Sequence, residues 1–209
     1  MTPTMRHLER IARALHPLGT EPAGPEWNLA ELDGLLDAVP PLDAAVLLGL
    51  VERDDDLNLL LTRRNDRLRL HAGQVSLPGG RVDPEDAGVL DAALREAGEE
   101  IGLAPAQAQP LGYLDPVRTI TGYRVVPLIA RIDPDFVARP DPAEVAAVFE
   151  VPLSFLLAPG HLRALRIDFG GRPREVLEYA PYSGAPGQRI WGVTASILYN
   201  LRQRLEALR

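Results

Sequence analysis

Gly79-Gly80, followed about four helical turns later by Arg95-Glu96-Ala97-Gly98-Glu99-Glu100-Ile101-Gly102-Leu103, is the stretch that decides the reading of this chain. The spacing predicts a helix over residues 88–101. Glu96 and Glu100 then stand at i and i+4, and Glu96 and Glu99 at i and i+3, so the three carboxylates share one face. Such crowding is unfavourable without a cation among them. Arg95 is adjacent, but one guanidinium cannot neutralise three carboxylates. A hard divalent cation can, and an oxygen-only donor set suits Mg²⁺ or Mn²⁺. The competing reading is a solvated, salt-bridged helix face with no metal.

Outward from this stretch, residues 4–16 read as an amphipathic helix with Met5, Leu8, Ile11, Ala12 and Leu15 on one stripe, stopped by Pro17. Asn28-Leu29-Ala30-Glu31 resembles a capping box, opening a second helix with Leu29, Leu32, Leu35 and Leu36 on its apolar face, up to Pro40-Pro41. Residues 44–51 and 57–64 read as strands joined by a solvated turn at Asp54-Asp55-Asp56. Residues 74–77 form a short strand into the Gly79-Gly80 turn. Asp83-Pro84 reads as a helix N-cap and first position, and Gly102 as the C-cap. Strands are expected at 112–118, 123–132 and 145–151, a short helix at 153–157, a hairpin of 164–169 with 174–179 around Gly170-Gly171, and a last helix over 190–208. Strands and helices mixed without strict alternation predict an α/β fold with a mixed sheet between helical layers.

Composition narrows the classes. A chain of 209 residues that is 46% hydrophobic fits one domain, with residues 1–40 as a helical extension packed on the core and 41–209 as the body. No apolar run spans a bilayer and no signal peptide is visible. There is no cysteine, which excludes disulfides and thiolate zinc sites and fits a cytoplasmic location. The net charge of −7 disfavours nucleic-acid binding. All 22 basic residues are arginine, a composition that codon bias explains; their local placement matters more.

The order Gly, acidic residue, Arg-Glu-x-x-Glu-Glu-x-Gly resembles the box of the Nudix hydrolases, enzymes that cut pyrophosphates joined to another group. The arginine stands one residue later than in the common box, with Asp86 at the acidic position, and this stretched form is similar to the coenzyme A branch. That branch carries an upstream motif, and residues 60–80 match it except at Asn65, for Ser or Ala, and Leu77, for Phe. Ile190 to Ala195 adds weaker support. The resemblance implies a Nudix α/β/α sandwich. It also implies divalent-metal-dependent hydrolysis of the pyrophosphate of coenzyme A or its derivatives by metal-activated water, giving 3′,5′-ADP and a 4′-phosphopantetheine species. Glu96, Glu99 and Glu100 are then the metal ligands. Arg95 orients a glutamate of the cluster, with Asp86 as its partner, as an outer-shell carboxylate or as an ordinary first-turn residue. Glu144, in the Pro-rich loop 140–145, is the candidate general base, against the plainer reading of a charge at a strand edge.

Arg63, Arg64, Arg67, Arg69 and His71 form a basic cluster, and on a strand residues 63, 67, 69 and 71 would share a face. Arg64 and Arg69 are the choices for the coenzyme A 3′-phosphate, with Arg67 and His71 as further substrate-binding candidates. The alternative pairs these arginines with Asp54 to Asp56 and Asp66. Gly79 and Gly80 are expected to bring backbone near the phosphates. Trp191, Tyr123 and Tyr182 are candidates to stack on adenine. Two rivals stay open: a Nudix hydrolase of ADP-ribose, dinucleotides or nucleoside triphosphates, and a non-catalytic module that senses a nucleotide. The expected partner is a small molecule, and a homodimer is left open as the assembly.

Overall fold

The computed structural model describes residues 3–32, 34, 36, 40–54, 56–169 and 171–208. Leu35 of the expected second helix, Asp55 of the aspartate turn and Gly170 of the hairpin turn lie outside them.

The centre of the molecule is the long strand β1 (Leu42–Arg53). Its apolar run is buried on both faces, so every second residue serves a different layer. β2 (Asp56–Arg64) returns antiparallel to β1, with Leu50 opposite Leu59. β3 (Val75–Ser76) pairs with β2, and β4 (Gly79–Arg81) pairs with β1. Helix α2 (Val89–Ile101) follows, then β5 (Ala108–Tyr113), β6 (Val117–Arg118) and β7 (Tyr123–Ile132). β7 lies parallel to β1 over ten residue pairs, while every other pairing is antiparallel, which makes the sheet mixed as expected. β8 (Val145–Pro152) adds to β2 and leads into the short helix α3 (Leu153–Leu157). β9 (Leu162–Phe169) and β10 (Arg172–Tyr179) form a separate hairpin, and α4 (Gly192–Ala207) closes the chain.

Two apolar layers flank the sheet. On one face Ala45, Leu47 and Val51 of β1 and Val126, Leu128 and Ala130 of β7 pack under Val89, Ala92, Ala93, Ala97 and Ile101 of α2. On the other, Leu48, Leu50, Leu59 and Ile129 meet Ala195, Leu198, Leu201 and Leu205 of α4, with Ile11 and Ala14 of the first helix, α1 (Pro3–Ala14). Among the described residues no helix is long and apolar enough to cross a membrane.

The structure corrects four expectations. The buried stripe of α1 is Thr4, Ile11 and Ala14, flanked by Leu8 and Leu15, while Met5 is half exposed, because α4 meets that face. Asn28 caps no α-helix: its carboxamide bonds Arg118 N–H and O at 2.8 and 2.9 Å, and only the 3-10 turn Leu29–Leu32 follows among the described residues. The expected strand 112–118 is divided into β5 and β6, with a register shift between Pro110 and Gly112. Asp83 opens a turn with Asp86, bonded both ways at 2.8 and 3.1 Å, rather than capping α2.

Candidate active site

Helix α2 is anchored at both ends, by a distant residue at its start and by a local cap at its end. At its start Glu21, from the N-terminal segment, accepts from Val89 N–H at 2.9 Å, satisfying a donor that the helix itself leaves free. Gly88 precedes it at φ 154°, and a Cβ there would strike that carboxylate. At its end Gly102 turns left-handed at φ 71° and donates to Gly98 O at 3.0 Å, the predicted C-cap. The glutamates are thus held on a helix fixed at both ends.

Between them, Arg95 is the hub. Its Nε and Nη2 take both oxygens of Asp86 at 2.8 and 2.9 Å, which settles Asp86 as its partner. Nη2 also donates to Arg81 O at 3.1 Å, and Nη1 to Glu96 and Glu99 at 3.0 and 3.2 Å. The Arg95 hydrogen bond holds the Asp86 carboxyl below the usual range against the effect of burial.

Glu100 lies on the inner side and is only 3% exposed. Its Oε2 accepts from Gly79 N–H at 3.2 Å, and its Oε1 stands 3.6 Å from Arg64 Nη1. Burial pushes its carboxyl up to about 7; the Gly79 amide and Arg64 oppose this, and Glu96 and Glu144 add to it. Glu96 is likewise raised, first by burial, with Arg95 opposing and Glu99 and Glu144 contributing. Glu144, exposed on the loop before β8, is therefore in electrostatic reach of both.

Among the described residues no three acidic or histidine side chains are gathered tightly enough to hold a metal ion as they stand. The expected shared cluster is spread out for a physical reason: Glu96 and Glu99 turn onto Arg95, and Glu100 turns onto the Gly79 amide. The donor set still fits a hard divalent cation. Glu96 and Glu99 meet Arg95, Glu100 faces Arg64, and Glu144 adds a fourth negative charge that acts on Glu96 and Glu100, while Arg95 is already committed to Asp86. The donors are all oxygen, and the Glu99 side chain, bonded to Arg95 at 3.2 Å, is 60% exposed.

The two glycines are explained by packing. Gly79 has φ 151°, and a Cβ there would lie 2.6 Å from Val46 Cα in β1. A Cβ on Gly80 would lie 2.5 Å from the carboxyl carbon of Glu96. Gly80 is thus the floor on which a metal-ligand candidate rests, a use that the sequence pattern alone does not reveal.

The basic cluster does not form one strand face. β2 stops at Arg64, and residues 65–74 form a loop with His71 at φ 56°. The loop is braced: Arg63 bonds both oxygens of Asp66 at 2.9 and 3.0 Å, as the alternative reading expected, and Arg64 N–H donates to Gln74 O at 2.9 Å. His71 Nδ1 meets Gln74 Oε1 at 3.0 Å. Arg67 and Arg69 are exposed, and their side chains have no partner among the described residues. Arg64 alone of the cluster points at the box helix, and its Nε is buried without a hydrogen-bond partner among the described residues. The aromatic candidates are otherwise engaged: Trp191 lies under Arg189 at 4.5 Å, Tyr182 against Phe155 at 5.1 Å, and Tyr123 opens β7 against the apolar core.

A family model described as the NUDIX domain matches residues 41–167. Curated proteins described as uncharacterized Nudix hydrolase NudL, from Shigella boydii serotype 4 (strain Sb227) and Escherichia coli O1:K1 / APEC, are each 44% identical to the chain. That identity extends over 160 residues, 76% of this chain and 80% of theirs. Among solved structures, the M. smegmatis Nudix hydrolase RenU is similar, with a TM-score of 0.47 and 24% identity, over 56% of this chain and 73% of that one. With the domain matched over more than half of its length, and relatives at 44% identity over three quarters of it, this chain belongs to the Nudix hydrolase family.

Proposed function

We propose that this Nudix hydrolase cuts the pyrophosphate of coenzyme A or a derivative of it, releasing 3′,5′-ADP and a 4′-phosphopantetheine species. The observation that carries the reading is how residues 60–80 fold against the box helix. Arg64 ends β2 beside Glu100, and its buried Nε, without a hydrogen-bond partner among the described residues, is a donor suited to an anion. The braced loop after it presents the side chains of Arg67 and Arg69 without a partner among the described residues, and it also carries His71. A guanidinium binds a phosphate bidentately, and a 3′-phosphate distinguishes coenzyme A from other ADP-linked compounds.

Glu96, Glu99 and Glu100 hold Mg²⁺ or Mn²⁺, the metals that Nudix enzymes generally use. Bound there, the metal neutralises pyrophosphate oxygens and lowers the pKa of water. Arg95 orients Glu96 and Glu99 and does not touch substrate. Glu144 takes the proton of the attacking water as general base; water adds to one phosphorus and the bridging oxygen leaves with the other phosphate. No side-chain nucleophile takes part.

The test compares coenzyme A with dephospho-coenzyme A in the wild type and in Arg69→Ala. A lost charge-assisted hydrogen bond weakens kcat/KM about 10–100-fold. That loss is expected on coenzyme A, with little change on dephospho-coenzyme A; equal losses on both refute the assignment of Arg69.

A further inference from the structure

Residue 65 is one of the two positions, with Leu77, where the chain departs from the coenzyme A motif; asparagine stands there in place of serine or alanine and spans a gap that neither could. Its Nδ2 donates to Pro142 O at 2.6 Å and its backbone N–H to Glu144 O at 2.8 Å, while its Oδ1 accepts from Arg67 N–H at 2.9 Å. The end of β2 is thereby joined to the loop that carries Glu144. Alanine has no donor, and the serine hydroxyl sits one bond closer to the backbone.

The same loop is tied from its other side to the end of the box helix. Arg139 N–H donates to Ile101 O at 2.8 Å and Asp141 N–H to Glu100 O at 2.9 Å. Within the loop Asp141 accepts from Ala143, Glu144 and Val145 N–H at 2.8, 3.1 and 2.8 Å. Pro140 and Pro142 have no N–H, so the loop cannot brace itself at those positions. The backbone pairing reaches Glu144 through one bond, Asn65 N–H to its carbonyl, just past the shift in β2–β8 register between Arg63 and Arg64, from Ala147 to Val145. The carbonyl of Pro142 is met by the side chain of the first residue after β2, Asn65.

We infer that Asn65 is a positioning residue, which holds Glu144 toward the glutamates of α2 by clamping the loop 141–144 to the end of β2. The inference rests on the assignment of Glu144 as general base. Losing the bond to Pro142 alone, with the Oδ1 acceptor of Arg67 N–H kept, leaves the fold and the substrate-binding loop in place but lets the base drift. Misplacement by about 1 Å costs up to about 100-fold in rate.

The test is a double-mutant cycle with coenzyme A as substrate. Asn65→Ala removes the side chain; Asn65→Asp keeps its shape and its acceptor but removes the donor to Pro142. Each is made alone and with Glu144→Gln, and amide hydrogen exchange is followed over residues 139–145. We expect both single variants to lower kcat about tenfold and to speed exchange at residues 141–145, with KM within about twofold in Asn65→Asp, which keeps the acceptor of Arg67 N–H. In the Glu144→Gln background neither should lower kcat further. An equal fall in that background, or wild-type kcat in Asn65→Ala, overturns the positioning role. Wild-type kcat in Glu144→Gln overturns the choice of base instead. Exchange then still judges the clamp, and unchanged exchange in Asn65→Ala refutes it.

Discussion

Gly80→Ala separates the site from the fold with a single methyl group. The backbone of Gly80 is compatible with alanine, so the methyl acts only through what it meets, the Glu96 carboxylate. Its carbon would lie 2.5 Å from the Glu96 carboxyl carbon, where ordinary contact begins at 3.4 Å, so the carboxylate must retreat by about 0.9 Å. The far end of a glutamate moves cheaply, and the melting temperature should change little. The displaced group, however, is a proposed metal ligand oriented by Arg95 at 3.0 Å. A shift of this size in a ligand lowers metal affinity or rate about 10–100-fold, about 1.4–2.7 kcal/mol. The assay is the Mg²⁺ and Mn²⁺ dependence of turnover beside a thermal melt. Gly79→Ala is the control. Its methyl would lie 2.6 Å from backbone in β1 at a φ of 151°, so it should cost stability outright. Wild-type metal dependence in Gly80→Ala would refute the placement of Glu96 in the metal site.

Three other outcomes follow from the same geometry. Glu21→Ala strips the cap from Val89 N–H and should cost about 1 kcal/mol, seen as a fall of about 2–4 °C in Tm. Glu178 is held below the usual carboxylate range by the Arg189 hydrogen bond and then by Arg163, against the effect of burial. Its stabilisation is therefore complete above the unfolded value of about 4.3 and is lost as pH falls through the lower folded value; melts on descending pH should steepen in the wild type and flatten in Glu178→Gln. Arg95→Lys cannot bridge Asp86, Glu96 and Glu99 with one ammonium, so kcat should fall about 10–100-fold while the fold is kept, as judged by kinetics and circular dichroism.

The elements that local chemistry dictates were legible in the sequence. α2 ends at Gly102 because only a residue tolerant of left-handed φ closes it there, and β1 is an unbroken apolar run because both its faces are covered. The contacts that were not legible join residues far apart in the chain. Glu21 caps a helix 68 residues on, and Asn28 serves the backbone of Arg118 90 residues on instead of its own helix. The arginine stripe failed because the strand ends at Arg64 and the chain folds into a loop around Asp66, which local alternation does not foresee. The helix that carries Glu96, Glu99 and Glu100 was legible, while the orientation of their carboxylates was not, because Arg95 reaches Asp86, Glu96 and Glu99 at once.

The central claim is tested most directly by chromatography of the products after incubation with coenzyme A, ADP-ribose, a dinucleoside polyphosphate and deoxynucleoside triphosphates, each with Mg²⁺ and with Mn²⁺. The account predicts metal-dependent release of 3′,5′-ADP from coenzyme A in clear preference to turnover of the others. Turnover of another compound with coenzyme A left intact would contradict it.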